Sequence, residues 1–225
     1  MSNTIIRHGL ILGLFALITS GIIALTDWAT RDRIAQQAQQ TLITTLNKII
    51  PATQYNNAIA NDCIIVNAAQ APELFGLSAS SNPSQDLYKR VTHIYRAKFD
   101  DKPAALAVET VTPNGYSGNI TLLVAILSDN TIGGVRVLEH KETPGLGDKI
   151  EERISPWITQ FTGFTTASVN DSMWAVKKDN GRFDQFTGAT ITPRAVVQGV
   201  QGAVKYLNEH WQSTFDAANQ CGATE

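Results

Sequence analysis

A chain of 225 residues, 43% of them hydrophobic, has the material for one globular domain with an appendage. Its formal net charge of −2 gives no basic footprint, which argues against a nucleic-acid partner. The four histidines (His8, His93, His140 and His210) are scattered, and only Cys63 and Cys221 accompany them, so no group has the spacing of metal ligands. Two cysteines fit either one disulfide in an oxidising compartment or two unrelated thiols in a reducing one.

From the N-terminus, Gly9 to Thr26 is an uncharged and mostly apolar run, bounded by Arg7 and His8 before it and Asp27 after it. That is close to the ~20 residues a helix needs to cross the hydrocarbon layer. A cleaved signal peptide would need a small-x-small site. Ser20-Gly21 is followed at once by Ile22-Ile23-Ala24-Leu25, and no such site follows, so residues 1–28 read as an uncleaved anchor. Arg7 and the N-terminal amine flank one side and Arg31 and Arg33 the other, so the positive-inside count leaves the orientation open. From Ala29 to Ile50, Ile34, Ala38, Leu42, Leu46 and Ile49 share one helical face and Pro51 ends the pattern. Residues 29–60 are therefore a stalk or connecting helix, either extending the anchor or packed on the domain that follows.

Residues 61–225 form that domain. Gln70 to Gln85 has little periodicity and reads as a surface loop. Val91 to Lys98, Ala104 to Val111, Ile120 to Leu127 and Ile132 to His140 are rich in β-branched and apolar residues. Turn chemistry separates them at Asp100-Asp101-Lys102-Pro103, Pro113-Asn114-Gly115 and Ser128-Asp129-Asn130. Linkers this short join antiparallel strands, predicting a four-stranded meander. Glu142-Thr143-Pro144-Gly145-Leu146-Gly147-Asp148 follows, a stretch whose glycines and proline suit close approach to a ligand or a tight strand-to-helix connection. Asp148 is placed to cap a helix bearing Ile150, Ile154, Trp157, Ile158 and Phe161 on its apolar face. Met173 to Lys178 reads as a further strand and Asp179-Asn180-Gly181 as a turn. The fold class is thus α+β: a mostly antiparallel sheet with flanking helices, preceded by one N-terminal transmembrane helix.

Next comes Asp184-Gln185-Phe186-Thr187-Gly188-Ala189-Thr190-Ile191-Thr192-Pro193. Thr192 suits an N-cap and Pro193 the first helical position, while Val196, Val197, Val200, Val204 and Leu207 recur at helical spacing behind them. A helix start pools unpaired N–H groups and positive dipole, and so favours a phosphate. Gly188 and Ala189 would let it approach, beside the Thr190 hydroxyl. The bland alternative is a capped turn. After the helix the tail is short and polar, ending with Cys221.

No G-x-S-x-G elbow, Walker loop, H-E-x-x-H pair or Rossmann glycine pattern occurs, so a hydrolase reading is weak. A threonine hydroxyl is a poor nucleophile without a base or metal. A phosphate ester on Thr190 would accordingly be made by another enzyme. Lys177 or Lys178 could supply positive charge near a cofactor, or be the solvated side of a strand. Tyr116, in Asn114-Gly115-Tyr116-Ser117-Gly118, could face a ring or serve as a core aromatic.

The pattern D-x-x-[ST]-G-A-[ST] from Asp184 to Thr190 resembles the acceptor motif for covalent flavin attachment, in which a flavin transferase links FMN through its phosphate to the last Thr or Ser. Gln185 replaces the glycine often found after the aspartate; the Thr-Gly-Ala-Thr core is intact. His140 to Ile150, Pro113 to Gly118, Trp174 to Lys178 and Phe183 to Val197 all resemble the G subunit of the Rnf/Rsx electron-transport complex, and the similarity covers nearly the whole chain, including Asn56-Asn57-Ala58 and both cysteines. The C subunit of the sodium-pumping quinone reductase shares fewer of these features. The resemblance implies a single-pass protein of the bacterial inner membrane with a periplasmic FMN domain. It would relay electrons among the other subunits of a membrane complex that couples ferredoxin/NAD redox chemistry to ion transport, or to reduction of a redox regulator. It further implies FMN bonded covalently to Thr190, a flavin transferase as a maturation partner, and a Cys63–Cys221 disulfide. The flavin contacts expected with it are Thr187, Gly188, Ala189, Thr192, Glu142, Thr143, Gly145, Leu146, Gly147, Tyr116 and Lys177, with no catalytic residue of its own and no metal. An anchored binding or assembly module without cofactor is the competing reading.

Overall fold

The computed structural model describes residues 2–77 and 90–221, and the chain forms two compact units, Met1–Leu42 and Ile43–Glu225. The first unit belongs to helix α1, Ser2–Ile49, which runs unbroken through the apolar run and the polar stretch after it. Its apolar side chains, among them Leu10, Phe15, Leu17, Ile23 and Trp28, are exposed, and its most apolar window has a mean hydropathy of 2.2. By length and composition this helix can cross a membrane as a single anchor. The hydroxyls of Thr19 and Thr26 donate to the carbonyls of Phe15 and Ile22 (3.0 and 2.8 Å), so neither needs water.

The second unit is built on a five-stranded antiparallel sheet in the order β1-β2-β3-β4-β5, with β1 Cys63–Asn67, β2 Val91–Phe99, β3 Lys102–Gly115, β4 Gly118–Leu127 and β5 Ile132–Glu139. The last four are the expected meander; β1 is an addition. The expected turn at Pro113-Asn114-Gly115 is the end of β3 instead, and the chain reverses at Tyr116-Ser117. Alternation along the strands sorts the two faces. Ile94, Val108, Val124 and Val135 are paired across four strands and all fully buried, making one row of branched side chains. The neighbouring row is Tyr95, Ala107, Ala125 and Gly134. Its small residues let the chain after Leu42 lie close: a Cβ on Gly134 would come within 2.9 Å of Ile49. Leu46, Ile49 and Ile50 are buried there, and Lys48 pairs with Glu152 at 3.0 Å.

Helix α2, Ile191–Glu209, crosses β3 and β4 with Val196, Val197, Val200, Val204 and Leu207 buried, the face expected from their spacing. A short α3, Trp211–Asp216, follows. The helix expected after Asp148 does not form. Two 3₁₀ segments, Gly147–Ile150 and Pro156–Phe161, replace it, because Pro156 has no N–H with which to continue a helix and Ser155 caps the second segment by accepting from Trp157 N–H (3.1 Å). Ile150, Trp157, Ile158 and Phe161 are still buried, while Ile154 is exposed. Nor is Met173 to Lys178 a strand: it is a looped segment tied down by Trp174 Nε1–H, which donates to Val197 O (3.1 Å), and by a few backbone bonds to Arg182 and Phe183. The expected turn at Asp179-Asn180-Gly181 is present, with Asn180 at φ +62°. Of the loop expected over Gln70 to Gln85, Pro72–Phe75 is a 3₁₀ turn that buries Leu74 and Phe75, and residues 78–85 lie outside the described part.

The C-terminal residues run along β1. Gln220 N–H donates to Cys63 O (2.9 Å) and Gln220 Oε1 accepts from Ile65 N–H (2.6 Å), covering a sheet edge that would otherwise offer unpaired groups. Cys63 and Cys221 form a disulfide with Cα atoms 5.3 Å apart. Beneath it Arg96, 2% exposed, donates to Asp62 Oδ1 (2.6 Å) and to the carbonyls of Thr214 (3.1 Å) and Ala217 (2.5 Å). Asn57 extends the ladder beside β2, its Oδ1 accepting from Lys98 N–H (2.9 Å) and its Nδ2 donating to Arg96 O (2.9 Å).

Candidate functional site

Aromatic packing fixes the segment before α2. Phe183 packs between Phe161 and Trp174 (centroids 4.6 and 4.8 Å away), tilted on the first and edge-to-face on the second, Phe186 meets Trp157 at 5.2 Å, and Trp157 Nε1–H donates to Asp184 O (2.7 Å). Between these anchors the chain turns at Phe186-Thr187-Gly188-Ala189, closed by Ala189 N–H donating to Phe186 O (3.0 Å), with Gly188 at φ +82°. That φ is the one a type II turn demands at its third residue. Thr187 is exposed on the outside of the turn.

The turn delivers Thr190, rather than Thr192, to the cap position of α2. Thr190 has φ −82° and ψ −29°, and its hydroxyl makes no capping bond; among the described residues it has no hydrogen-bond partner. Thr192 is the second residue of the helix, 1% exposed, and donates through Oγ1 to Glu142 Oε2 at 2.5 Å. Pro193 also lies in this first turn, where its missing N–H costs nothing. The amides of the first turn, lacking partners within the helix, aim their dipoles at the Thr190 side.

Facing this helix start is the loop after β5. Thr143-Pro144-Gly145-Leu146 is a turn closed by Leu146 N–H to Thr143 O (3.1 Å), with Gly145 at φ +78°. Gly147 N–H donates to the same carbonyl (3.1 Å). Gly147 is wanted for space: a Cβ there would stand 2.6 Å from Glu142 Oε2 and 2.8 Å from Thr192 Oγ1. The β3–β4 hairpin closes a third side through Ser117 N–H, which donates to Glu142 Oε1 (3.0 Å), leaving Tyr116 70% exposed at the rim.

These parts enclose an open cavity of about 520 Å³ lined by Tyr116, Glu142, Thr143, Leu146, Gly147, Lys178, Gly188, Ala189, Thr190, Ile191, Thr192 and Arg194. The structure thereby brings together nine of the residues singled out from the sequence. Thr187 and Gly145 lie in the two turns without lining the cavity, and Lys177 is turned away, paired with Asp184 at 2.5 Å. Lys178 takes its place; its backbone N–H donates to Gln185 Oε1 (3.2 Å), and no carboxylate pairs with its ammonium among the described residues. Arg194 and Ile191 are additions that the sequence pattern did not single out. Arg194 lies one turn after Thr190, a spacing that would have placed it on the same end of the helix. Its guanidinium grips Asp179 through two bonds (2.7 and 2.8 Å), which hold the Asp179 carboxyl below the usual carboxylate range. The floor is thus polar, with a helix N-terminus and two cations, and the rim is apolar, with Tyr116, Leu146 and Ile191 exposed. Among the described residues no cluster of His, Cys, Asp and Glu could hold a metal ion.

Comparison with known proteins bears on the same segments. Residues 115–205, which contain this cavity, match the FMN-binding domain family, and residues 1–49 match the RnfG N-terminal region. The chain is 46% identical to the G subunit of the ion-translocating oxidoreductase complex of Pseudoalteromonas atlantica, over 98% of this chain and 96% of that one. It is 44% identical to the corresponding G subunit of Vibrio cholerae over 98% and 99% of the two chains, and 47% identical to that of Escherichia coli O157:H7 over 92% of each. Similarity of this degree, end to end and with the FMN-binding domain placed over the cavity, shows that the chain belongs to the RnfG family, the G subunits of ion-translocating oxidoreductase complexes.

Proposed function

We propose that Thr190 carries FMN as a phosphoester, attached by a flavin transferase, and that the flavin relays electrons between this subunit and others of the membrane complex. The observation that carries the reading is the Thr190 hydroxyl, at the cap of α2 and on the cavity wall, with no partner of its own among the described residues. The residues present fit the group. The cavity falls within the roughly 300–1,000 Å³ of ligand pockets, and its polar floor and apolar rim match a phosphate and a flat ring. The α2 amides, Lys178 and Arg194 would hold the phosphate; Leu146, Ile191 and Tyr116 would flank the ring. Bound FMN supplies one- and two-electron chemistry, and the chain around it tunes the potential by charge and hydrogen bonds.

Attachment requires the Thr190 oxygen to displace a leaving group from the phosphorus of the flavin donor and to give up its proton. No carboxylate or imidazole hydrogen-bonds to that hydroxyl among the described residues, so the base comes from the transferase. We place the domain on the periplasmic side of the inner membrane, held by α1. The Cys63–Cys221 disulfide supports that side, since such bonds persist in oxidising compartments. Covalent attachment suits this location, where no pool of free FMN would replace a lost cofactor. Flavin fluorescence that stays with the denatured chain is expected in the parent and in Thr190→Ser, and its loss in Thr190→Ala; full retention in Thr190→Ala would remove Thr190 as the site.

A further inference from the structure

Glu142 stands out in this cavity because an anion-binding site has no electrostatic use for a buried carboxylate. It is 5% exposed, and no cation pairs with it among the described residues. Yet both oxygens are engaged by donors: Ser117 N–H to Oε1 at 3.0 Å and Thr192 Oγ1–H to Oε2 at 2.5 Å. Its own backbone N–H donates to His140 Nδ1 (3.0 Å), whose Nε2 is 2.7 Å from Glu151 Oε1. That pattern leaves Nδ1 as acceptor and Nε2 as donor, and it fixes the path of the chain from the end of β5 to residue 142. Two glycines make room for the carboxylate. Cβ atoms on Gly115 and Gly147 would stand 2.8 Å from Oε1 and 2.6 Å from Oε2.

We infer that Glu142 is a positioning residue: one buried carboxylate clasps the Tyr116 hairpin, the Thr143–Gly147 loop and the start of α2, and its negative charge lowers the reduction potential of the group held beside it. Each bonded segment contributes a wall of the cavity, and none of the three is adjacent in sequence to the others. An acceptor-only group suits the task, since both neighbours arrive as donors. The same charge, on a carboxylate itself buried from water, opposes the added negative charge of a reduced cofactor held beside it. The inference about potential rests on the proposed flavin at Thr190; the clasp does not.

Conservative and truncating variants separate the two parts. In Glu142→Gln the amide oxygen can accept from Ser117 N–H while the amide NH₂ donates to a rotated Thr192 hydroxyl, so the clasp survives and the charge is gone. The full-length chain, purified in detergent, would be compared in parent, Glu142→Gln, Glu142→Ala and Thr192→Val forms, each with and without co-expressed transferase. Expected for Glu142→Gln are parent-like flavin loading by intact mass and a more positive midpoint potential by spectroelectrochemical titration. Expected for Glu142→Ala is several-fold slower loading, and Thr192→Val should slow it in the same way. In the unflavinylated chain, the losses in Tm of Glu142→Ala and Thr192→Val should be less than additive, since each removes the same bond. An unchanged potential in Glu142→Gln would overturn the role of the charge, and parent-rate loading in Glu142→Ala, or additive losses in Tm, would overturn the clasp. If the parent itself carries no flavin, the proposed function fails and the Tm cycle still decides the clasp.

Discussion

Gly147→Ala is the change whose cost the structure specifies most closely. The backbone of Gly147 lies outside the left-handed region, so alanine meets no torsional objection there. The methyl group meets side chains instead: Glu142 Oε2 at 2.6 Å, Thr192 Oγ1 at 2.8 Å and Glu142 Cβ at 2.9 Å. Both neighbours are buried and bonded to each other, so neither swings aside without breaking that bond. Overpacking of this kind costs about 1–3 kcal/mol. At roughly 2–4 °C per kcal/mol for a unit of this size, Tm falls by about 2–12 °C. Thermal unfolding of the full chain in detergent, without flavin, measures it. Part of the loss should disappear in a Thr192→Ala background, where one of the clashing atoms is gone. Gly145→Ala is the contrast: no atom lies within 4 Å, φ is +78°, and the strain should be unaffected by Thr192→Ala. A Gly147→Ala chain with the parent Tm, or a loss identical in both backgrounds, would refute the packing argument.

Other perturbations test the frame around the site. Arg96→Met should cost about 3–5 kcal/mol, read as a fall in Tm, because it leaves the Asp62 carboxylate, the buried carbonyl of Thr214 and the half-buried carbonyl of Ala217 short of their donor; Lys98→Met, which removes only a second partner of Asp62, should cost less. Reduction of Cys63–Cys221, which closes a separation of 158 residues, should lower stability by about 2–4 kcal/mol, and a Cys63→Ala/Cys221→Ala chain should be indifferent to reductant. The Glu109 cluster on the sheet gives a pH signature. Burial pushes the Glu109 carboxyl up, but His93 and the Tyr95 hydroxyl more than offset it and hold it below its ordinary 4.5; Glu109 in turn raises His93 above its ordinary 6.5. Glu109 therefore stabilises above pH 4.5 and loses this as pH falls through its lower folded value, while His93 stabilises below pH 6.5 and loses this as pH rises through its higher one. The Tm difference between parent and Glu109→Gln should be widest between those values and narrow on either side; a flat difference would contradict the assignment.

The parts of this fold that follow from periodicity were readable from the chain, and those decided by individual tertiary bonds were not. The β2–β5 meander and the buried face of α2 rest on alternation and on a 3.6-residue repeat, and both are present. Strand β1 escaped because Cys63–Asn67 is five residues without alternation, held in place by its pairing with β2 and by the C-terminal strap. Met173 to Lys178 mimics a strand because Trp174 and Val176 are buried with Ala175 between them, yet Trp174 is buried among Phe161, Phe164 and Phe183, with its indole N–H bonded to a carbonyl of α2. Ile150 to Phe161 mimics a helix because Ile150, Ile154, Trp157, Ile158 and Phe161 recur at helical spacing, with Pro156 the signal to the contrary. At the site, the TPGLG and TGAT stretches were legible as tight glycine-bearing turns, and the structure brings both to one cavity, but which cation faces that cavity was not legible. Lys177 and Lys178 are neighbours in sequence, and it is a tertiary matter that Lys177 pairs with Asp184 while Lys178 lines the cavity. Thr192 looked like the cap because Pro193 follows it. The helix starts two residues earlier, which frees the Thr190 hydroxyl and assigns Thr192 to Glu142.

The central claim, that Thr190 bears the flavin, is decided by one peptide. Trypsin releases Phe183 to Arg194 intact, since Arg182 precedes it and the segment holds no other lysine or arginine before Arg194. After expression with the transferase, fragmentation of this peptide should place one FMN, joined with loss of water, on Thr190. An unmodified peptide, or a flavin on Thr187 or Thr192, would contradict the account.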